Sequence, residues 1–444
     1  MSLGAALTNA LSGLHVATKS TELISSNISN ALTPNYAKRS LAVSARAGEH
    51  GGATIDAIQR KENNAILRDL RRSTAQLSKD QTQADFAQSL SRLTGDTTSD
   101  YSLGSRLNAF RNAIIEAAGQ PDDPQRLSRA ASAAERYAKG ISTAAQGIKE
   151  LQSQTKKSLE NDLRDVNKTL AALQKVNNAI GSTTRKNGHY AGLLDQRDQL
   201  LATLSDAVEF KIYDRENGKI AVYTPEGTAL LETRASQITL SHDTQSDVLS
   251  FVVNGQSEAT FPTGRIGGLA HIYNSDSQTA LTNLDQLAAN LVSEFSVIDQ
   301  SIAPSDQGLF QFDSGIGAQS LRIHPAAASD PWRLADGLQA ATQSANPNNE
   351  ILNAMVRLLS SDAVLSSQTR NVMTQADANA AQADENLARA QASNYELTLL
   401  YQADGVNTDE EMQHLLVVEQ SYAANAKIIE VVDNLFAQLM RIGQ

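Results

Sequence analysis

The side chains that most often perform catalysis or bind metals are scattered through this sequence. Seven histidines stand at positions 15, 50, 189, 242, 271, 324 and 414, and no two of them have the spacing of a zinc-binding pair. Cysteine is absent, which excludes a disulfide, a thiolate metal site and a cysteine nucleophile. The sequence therefore predicts no metal site.

Motifs that hold nucleotides or calcium are also missing. The sequence has no Gly-x-Gly-x-x-Gly fingerprint, no phosphate-binding loop and no calcium-loop spacing, and Gly267 and Gly268 are better interpreted as part of a turn. The carboxylates lie mainly on predicted helix surfaces, where nothing pairs them for acid–base chemistry. We expect no catalytic residues, no cofactor and no enzymatic activity.

Composition narrows the class of protein. A chain of 444 residues suggests two to four domains, and 41% apolar but only 5% aromatic residues favour long, thinly packed helices. The net charge of −11 argues against nucleic acid as the main partner. No apolar run approaches the roughly 18 residues of a membrane span. A cleaved secretory signal begins with a positively charged region, whereas the first Lys or Arg of this chain is Lys19. We therefore expect a soluble chain without membrane insertion.

The elements that organise the chain lie at its two ends. Near the C-terminus, apolar residues alternate at intervals of three and four, which is the seam of a coiled coil. Asn407 and Thr408 can cap this helix. Asn425 interrupts the seam and is expected to fix its register. The predicted seam consists of Leu415, Val418, Tyr422, Asn425, Ile429, Val432, Phe436 and Leu439.

The N-terminal stretch has the same alternation and offers a partner. Its seam comprises Leu3, Leu7, Ala10, Leu14, Ala17, Thr21, Ile24 and Ile28, of which Leu7, Leu14, Ile24 and Ile28 are the predicted contact residues. The simplest inference is that the two ends pack on each other and the middle is a long insertion. The alternative is that each helix packs into a neighbouring globular domain.

The middle of the chain reads as a helical body with one β insertion. Helical spacing dominates up to about residue 207, and hairpin signals at Asn217-Gly218 and Asn254-Gly255 then indicate a small antiparallel domain. The predicted fold is mainly α, with a terminal coiled coil and a long helical-bundle body. The predicted divisions are 1–63 (N-terminal coil helix and connection), 64–207 (first part of the body), 208–262 (β outer domain), 263–403 (return part of the body) and 404–444 (C-terminal coil helix).

Two features inside the body have local interpretations. Asp195, Arg197 and Asp198 are expected to be solvated charges on a helix surface. The single tryptophan, Trp332, is expected to be a local packing anchor.

The stretch after the first helix resembles a known motif. It reads Ile24-Ser-Ser-Asn-Ile-Ser-Asn-Ala-Leu-Thr-Pro-Asn-Tyr36 and is similar to the N-terminal box of bacterial flagellar axial proteins. Ser29 replaces the usual Ala and Asn35 the usual Gly. Both Gly and Asn tolerate positive φ, so the second replacement keeps the turn. The turn out of the coil is therefore assigned to Thr33, Pro34, Asn35 and Tyr36.

Two further segments narrow the resemblance to the family of flagellar hook-associated protein 1. The run Leu193-Leu-Asp-Gln-Arg-Asp198 resembles a segment that precedes the outer β domain in that family. The runs Val406-Asn-Thr-Asp-Glu-Glu-Met412 and Glu419-Gln-Ser-Tyr-Ala-Ala-Asn-Ala-Lys-Ile-Ile429 resemble its C-terminal box. The three motifs occur in the family's order.

The resemblance implies a structural role. It implies self-association as the junction between hook and filament, with hook protein and hook-associated protein 3 (FlgL) as neighbours. It also implies a FlgN-like export chaperone at the C-terminal helix, unfolded export by the flagellar type III system without signal cleavage, and an extracellular location in the flagellum after a cytoplasmic stage.

Three alternatives stay open on the sequence. A hook or rod protein would share both terminal boxes, although we expect such proteins to turn to β structure soon after the first box. An intracellular coiled-coil adaptor would explain the terminal seams alone. An adhesin or hydrolase carried on a flagellar scaffold would use residues 208–262 as its active part, where His242 is the one histidine.

Overall fold

The chain is built mainly from long helices. The computed structural model describes residues 3–33, 36–46, 51–95, 99, 101–183, 188–303, 306–347, 349–360 and 363–442. The helices are α1 (Leu3–Ser29), α2 (Asn64–Thr94), α3 (Leu103–Gly119), α4 (Pro124–Ser182), α5 (Gly188–Ala207), α6 (Gly264–His271), α7 (Ser277–Ser296), α8 (Pro325–Ser329), α9 (Arg333–Asp336), α10 (Glu350–Leu358), α11 (Val364–Ala403) and α12 (Thr408–Ile442).

The strands form four small antiparallel sheets. Two are hairpins, β1 (Lys38–Ala45) with β2 (Ala53–Lys61), and β9 (Phe310–Asp313) with β10 (Gly317–Ile323). The other two are three-stranded meanders: β3 (Lys211–Asp214), β4 (Ile220–Tyr223) and β5 (Ala229–Leu231), then β6 (Ile238–Asp243), β7 (Val248–Val253) and β8 (Ser257–Ala259).

The ends of the long helices follow from local chemistry. Asp123 accepts hydrogen bonds from the backbone N–H groups of Gln125 and Arg126, and Pro124 occupies the first turn of α4, where its missing N–H costs nothing. The Oδ1 atom of Asn407 accepts from the N–H groups of Asp409 (3.0 Å) and Glu410 (3.2 Å). The predicted cap of the last helix is thus present.

Helix α4 is the spine of the body. Its 59 residues span about 90 Å. Its first half packs against α3, α7 and the β9–β10 hairpin in a core whose aromatic centre is Phe110, Phe295 and Phe310. The Phe295 and Phe310 rings meet edge-to-face at 5.0 Å, a favourable geometry.

The second half of α4 carries the two β meanders. Leu163, Val166 and Leu170 share one apolar core with β4, β7, α5 and α6. The predicted β insertion is therefore packed into the helical body along one side of α4 and does not have a core of its own.

Asparagine side chains also fix the meanders in place. Asn177 on α4 donates to the carbonyl of Ile220 (2.9 Å) and accepts from its N–H (2.8 Å), so it replaces a neighbouring strand at that position. Asn167 does the same for Ile238, with both distances 2.8 Å. These amides satisfy backbone groups that would otherwise be buried without partners.

Helices α2 and α11 form a second long antiparallel pair. Polar contacts tie them along their length: Gln88 donates to Asp384 (2.8 Å), and Asn394 donates to Thr74 (3.1 Å). The pair connects the body to the segments that lead into the terminal helices.

The fold class predicted from the sequence is confirmed: long terminal helices, a helical body and a small antiparallel insertion. Two elements were not anticipated. The connection before residue 63 contains the β1–β2 hairpin, and the stretch between α7 and α10 contains the β9–β10 hairpin. Within the described part of the chain, no helix has the length and apolarity needed to cross a bilayer.

Candidate assembly interface

The terminal helices α1 and α12 pack as an antiparallel pair. Asn27, near the end of α1, contacts Glu411, at the start of α12. Midway along the pair, Gly13 faces Asn425, and at the far end Leu3 and Leu435 line one groove. The two ends of the chain therefore meet, as the terminal seams predict.

The predicted N-terminal contact residues face α12 to different degrees. Ile24 is buried at 2% exposure and forms an apolar cluster with Ala17 and Val418. Ile28 packs at the edge of this cluster, and Leu7 and Leu14 are half-buried.

The predicted C-terminal seam divides into two groups. Val418 and Val432 are buried, and Leu415, Asn425 and Ile429 are half-buried. The other three, Tyr422, Phe436 and Leu439, are 49%, 42% and 53% exposed, so the pair within one chain covers them incompletely. A contact role for these three in the assembly stays a prediction.

Asn425 packs closely against Gly13 of the partner helix α1. A Cβ atom placed on Gly13 would come within 2.7 Å of Asn425 Nδ2, so the amide sits where only glycine leaves room. Its own hydrogen bond goes to the carbonyl of Ser421 in the same helix (2.9 Å). If Asn425 sets the register, it does so sterically against Gly13.

The predicted turn motif lies where α1 gives way to β1. Pro34 and Asn35 fall outside the described residues. The Tyr36 hydroxyl donates to Asn27 Oδ1 (3.0 Å), and the Arg39 guanidinium lies over the Tyr36 ring, 4.9 Å from its centre. Thr33 is exposed and its hydroxyl contacts Asn30 (3.3 Å).

Asn27 is the centre of this corner, and sequence reasoning did not single it out. Its Nδ2 donates to Glu411 (2.9 Å) and to the Arg39 carbonyl (2.9 Å), while its Oδ1 accepts from the Arg39 N–H (3.0 Å). At 1% exposure its hydrogen-bonding capacity is filled. Both Asn27 and Glu411 belong to the quoted terminal boxes, which was the available signal.

Lys38 adds charge to the same corner. Its Nζ lies 2.9 Å from both Glu410 and Glu411. Burial alone would lower the pKa of Lys38, but the hydrogen bonds and charges of these two carboxylates outweigh it and raise that pKa. The buried face of Glu411 is thereby neutralised.

A buried ion cluster joins the hairpin to the body, and it corrects the expectation that Asp195, Arg197 and Asp198 are solvated. The side chains of Asp198 and Arg60 are each 5% exposed and lie 2.8 Å apart. The expectation failed because arginines from β1, β2 and α2 converge on this face of α5. The remaining ion pairs join Arg39 and Asp195, Arg60 and Asp195, Arg60 and Glu62, Arg71 and Asp198, and Arg197 and Asp198.

The two most buried carboxylates of the cluster respond differently to it. Burial would raise the pKa of Asp198, but the guanidinium groups of Arg197, Arg60 and Arg71 hold the pKa of that carboxyl below its ordinary value. Burial, reinforced by the negative charge of Asp198, raises the pKa of Glu62. Asp198 is therefore the favoured anion of the cluster.

The geometry points to packing and association. Among the described residues, no group of three or more His, Asp or Glu side chains is arranged to hold a metal ion. Asn30, Thr33 and Tyr36 of the first box line one cleft with Gly192 and Asp195 of the middle segment. The motifs that are distant in the sequence thus converge on the joint between coil and body.

Two family models match parts of this chain. Residues 87–301 match the model for the flagellar hook-associated protein FlgK helical domain, and residues 402–442 match the model for the C-terminal region of flagellar basal body rod FlgEFG proteins. The two models describe different families, and the FlgK model covers 215 of the 444 residues. These findings support the FlgK family for this chain.

Relatives of the FlgK family support the assignment. Flagellar hook-associated protein 1 of Bacillus subtilis is 24% identical over 410 residues, which are 80% of this chain and 79% of the relative. The Salmonella typhimurium protein is 22% identical over 311 residues, which are 65% of this chain and only 55% of the relative. This chain thus spans little more than half of the Salmonella protein.

One solved structure was also compared. The flagellar hook junction protein FlgK from Burkholderia pseudomallei aligns with a TM-score of 0.47 at 20% identity, over 55% of this chain and 47% of that one. The family match and the relatives support a structural role in the flagellum for this chain, as predicted from its motifs.

Proposed function

We propose that this chain self-assembles into the junction between the flagellar hook and the filament. The match to the FlgK family supports the location. The observation that carries the mechanism is the second apolar face of α12, which its pairing with α1 leaves about half exposed. No catalytic residue is assigned.

The second face of α12 has coiled-coil spacing of its own. It consists of Val417, Ala424, Ile428, Val431 and Leu435, and the four large side chains among them are 59%, 44%, 48% and 42% exposed in that order. A helix with two apolar faces packs against its own partner on one and a neighbouring helix on the other. Repetition of such a contact without closure gives a tube or helical assembly.

The rest of the chain has a matching role in this proposal. The helical body, 64–207 with 263–403, forms a wall around the terminal coil of residues 1–63 and 404–444, and the 208–262 region lies outermost. The long continuous helix α4, with cores on both halves, supports a rigid wall.

Partners follow from the location. Hook protein and hook-associated protein 3 (FlgL) are the proposed neighbours. A FlgN-like chaperone would cover α12 in the cytoplasm before unfolded export by the flagellar type III system, because the exposed apolar face of α12 invites aggregation. The absence of cysteine suits such an export route.

A deletion strain tests the proposal. We expect hooks without filaments by electron microscopy and unpolymerised flagellin in the medium, with filaments restored by a plasmid copy of this chain. Absence of hooks would instead support a hook or rod function, which the match at 402–442 keeps as the second candidate. Intact filaments in the deletion strain would contradict both.

A further inference from the structure

The middle of α4 carries polar side chains between the two apolar cores of the body. Ile148 belongs to the first core and Leu159 to the second. Between them, Gln152 and Thr155 are buried at 3% and 8% exposure. Helical spacing places these polar side chains on one side of α4. The set, here called the waist, consists of Lys149, Gln152, Thr155 and Lys156.

A widened helical turn contacts α4 at this level and holds the second meander. Residues Ile272–Asp276, between α6 and α7, form a π turn, in which the Ser277 N–H bonds to the Ile272 carbonyl. Asn274 in this turn accepts from the N–H of Leu249 on β7 and donates to its carbonyl, both at 2.8 Å. The π turn is therefore bound to β7.

A chain of titratable side chains joins the waist to the π turn. Lys156 Nζ lies 3.0 Å from Nδ1 of His242, which stands on β6. His242 Nε2 lies 2.8 Å from Oδ1 of Asp247, in the β6–β7 turn. The Tyr273 hydroxyl of the π turn donates to the same oxygen (2.7 Å). Three parts of the fold thus meet at His242 and Asp247.

The chemistry of this chain of contacts requires a neutral imidazole. An ammonium group has donors only, so Nδ1 of His242 accepts from Lys156, while Nε2 carries the proton and donates to Asp247. Burial would raise the pKa of Asp247, but the hydrogen bonds from Tyr273 and His242 outweigh it and hold that pKa below its ordinary value. Asp247 is therefore an ionised acceptor.

The charges around His242 act in both directions. Lys149 lies 3.8 Å from Asp247 Oδ2, and like Lys156 it would repel an imidazolium. Asp243, next to His242 on β6, and Asp247 would attract one. A second proton on His242 would therefore keep the contact with Asp247. It would abolish the contact with Lys156, because Nδ1 would become a donor that faces a donor.

We propose that this chain of contacts is a pH-sensitive switch, in which a second proton on His242 releases Lys156 of α4 while the π turn keeps its hold on the β6–β7 turn. Imidazole is the side chain that ordinarily changes charge between about pH 5 and 8. The start of β6 stays on α4 through Asn167, which holds Ile238. Acid therefore loosens the second meander from α4 at its turn and not at its start. This inference does not depend on the junction function.

Hydrogen exchange of the full chain, followed by mass spectrometry at pH 8 and pH 5, tests the switch after correction for the intrinsic effect of pH. We expect about tenfold faster exchange at pH 5 in residues 152–160 and 241–249, with α3 unchanged as the internal reference. Lys156→Met should exchange fast at both pH values. His242→Gln, which keeps a neutral acceptor and donor, should exchange slowly at both.

His271→Gln is the matched control for the exchange experiment. His271 pairs with Asp276 of the same π turn (3.3 Å), but its side chain is 51% exposed and takes no part in the chain of contacts. This variant should keep the pH response of the unchanged protein. Loss of the response in His271→Gln would assign it to the wrong histidine and overturn the inference.

Nitrogen-15 NMR of the histidine-labelled chain gives an independent reading. At pH 8 the signals of His242, assigned by their loss in His242→Gln, should show a proton on Nε2 and none on Nδ1. A proton on Nδ1, equal exchange at the two pH values, or a pH response retained in His242→Gln would overturn the inference. If circular dichroism shows that His242→Gln does not fold, a pH response retained in Lys156→Met has the same meaning.

Discussion

Asn27 and Glu411 are joined by a 2.9 Å hydrogen bond although 384 residues separate them in the sequence. The contact brings the two terminal motifs of the family together at the point where α1, β1 and α12 meet. It makes the coil and the first strand one structural unit, and the first prediction follows from it.

Asn27→Asp should loosen the terminal pair. Aspartate cannot donate to the Arg39 carbonyl or to Glu411, and its carboxylate would face a second carboxylate in a buried place. We expect a local cost of about 2–3 kcal/mol, which is at least about 30-fold faster hydrogen exchange in the first turns of α12. Asn30→Asp is the control, because Asn30 donates only to the nearby Ser26 carbonyl. Equal exchange in the two variants would contradict the assignment.

Asp198→Asn should destabilise the joint between hairpin and body far more than Glu62→Gln. Asp198 neutralises Arg60, Arg71 and Arg197, so its removal leaves buried positive charge uncompensated and should cost about 3–5 kcal/mol. Glu62 is held in a place that disfavours its ionised form, so its neutral replacement should cost less than about 1 kcal/mol. Urea unfolding at pH 7 followed by circular dichroism measures both, and similar midpoints for the two variants would contradict the prediction.

The same cluster predicts a pH dependence with a definite sign. The pKa of Asp198 is lower in the folded chain than its ordinary value, so its stabilisation is present above that ordinary value and is lost as the pH falls through the lower folded value. For Glu62 the folded pKa is raised, so its ionisation at higher pH subtracts stability. The unfolding midpoint should therefore drop below about pH 4. Asp198→Asn should remove part of that drop, and an unchanged pH profile in this variant would count against the cluster.

Gly13→Ala should destabilise the coil, and Asn425→Ala should relieve the effect. Alanine favours a helix over glycine by about 1 kcal/mol, but its Cβ would overlap the Asn425 amide at 2.7 Å. A double-mutant cycle on thermal unfolding should show a coupling of at least about 1 kcal/mol. Gly4→Ala is the matched control, because nothing lies within 4 Å of a Cβ at that α1 position and the variant should be stabilised. If the stability changes of Gly13→Ala and Asn425→Ala simply add, Asn425 does not set the register by steric contact with Gly13.

Ile429→Asp and Ile428→Asp should both abolish filament assembly, for different reasons. Ile429 is half-buried in the seam toward α1, so its replacement should release α12 while the helical body remains folded. Ile428 is 44% exposed on the second face, so its replacement should leave the pair intact and block only the neighbouring copy. Motility and hydrogen exchange of α12 separate the two effects. Gln420→Asp, at an exposed position, is the control, and normal motility of Ile428→Asp would contradict lateral packing through the second face.

The elements that were predictable from the sequence are those with a local, periodic signal. The terminal seams, the cap at Asn407 and the hairpin turns around Asn217 and Asn254, both at positive φ, all follow from spacing and turn chemistry. The β1–β2 hairpin was missed, although its strands have eight and nine residues, because it lies between two strong helix signals.

The buried ion cluster between the hairpin and the body could not be predicted, because a sequence does not show whether a charged side chain is solvated or paired. Asp195 and Asp198 look like solvated helix charges until Arg39, Arg60 and Arg71 are brought to them from three other elements. The role of Asn27 is ambiguous in the same way, since its donors and acceptors act on residues up to 384 positions away. Long-range polar pairing leaves no periodic trace.

The asparagines that hold the β meanders give α4 a further property. Asn167 and Asn177 each hold one strand through hydrogen bonds to its backbone, and they lie ten residues apart on a continuous helix, or about 15 Å. The number of helical residues between Asn167 and Asn177 therefore sets the offset between the two meanders along α4. A single residue inserted into α4 between Asn167 and Asn177 would rotate one side chain by about 100° around the helix axis relative to the other. Added residues in the connections between the strands would leave both side chains facing the same side of α4. The outer region can therefore gain residues in its loops without disturbing these contacts, whereas residues added to α4 between the two asparagines would displace one meander relative to the other.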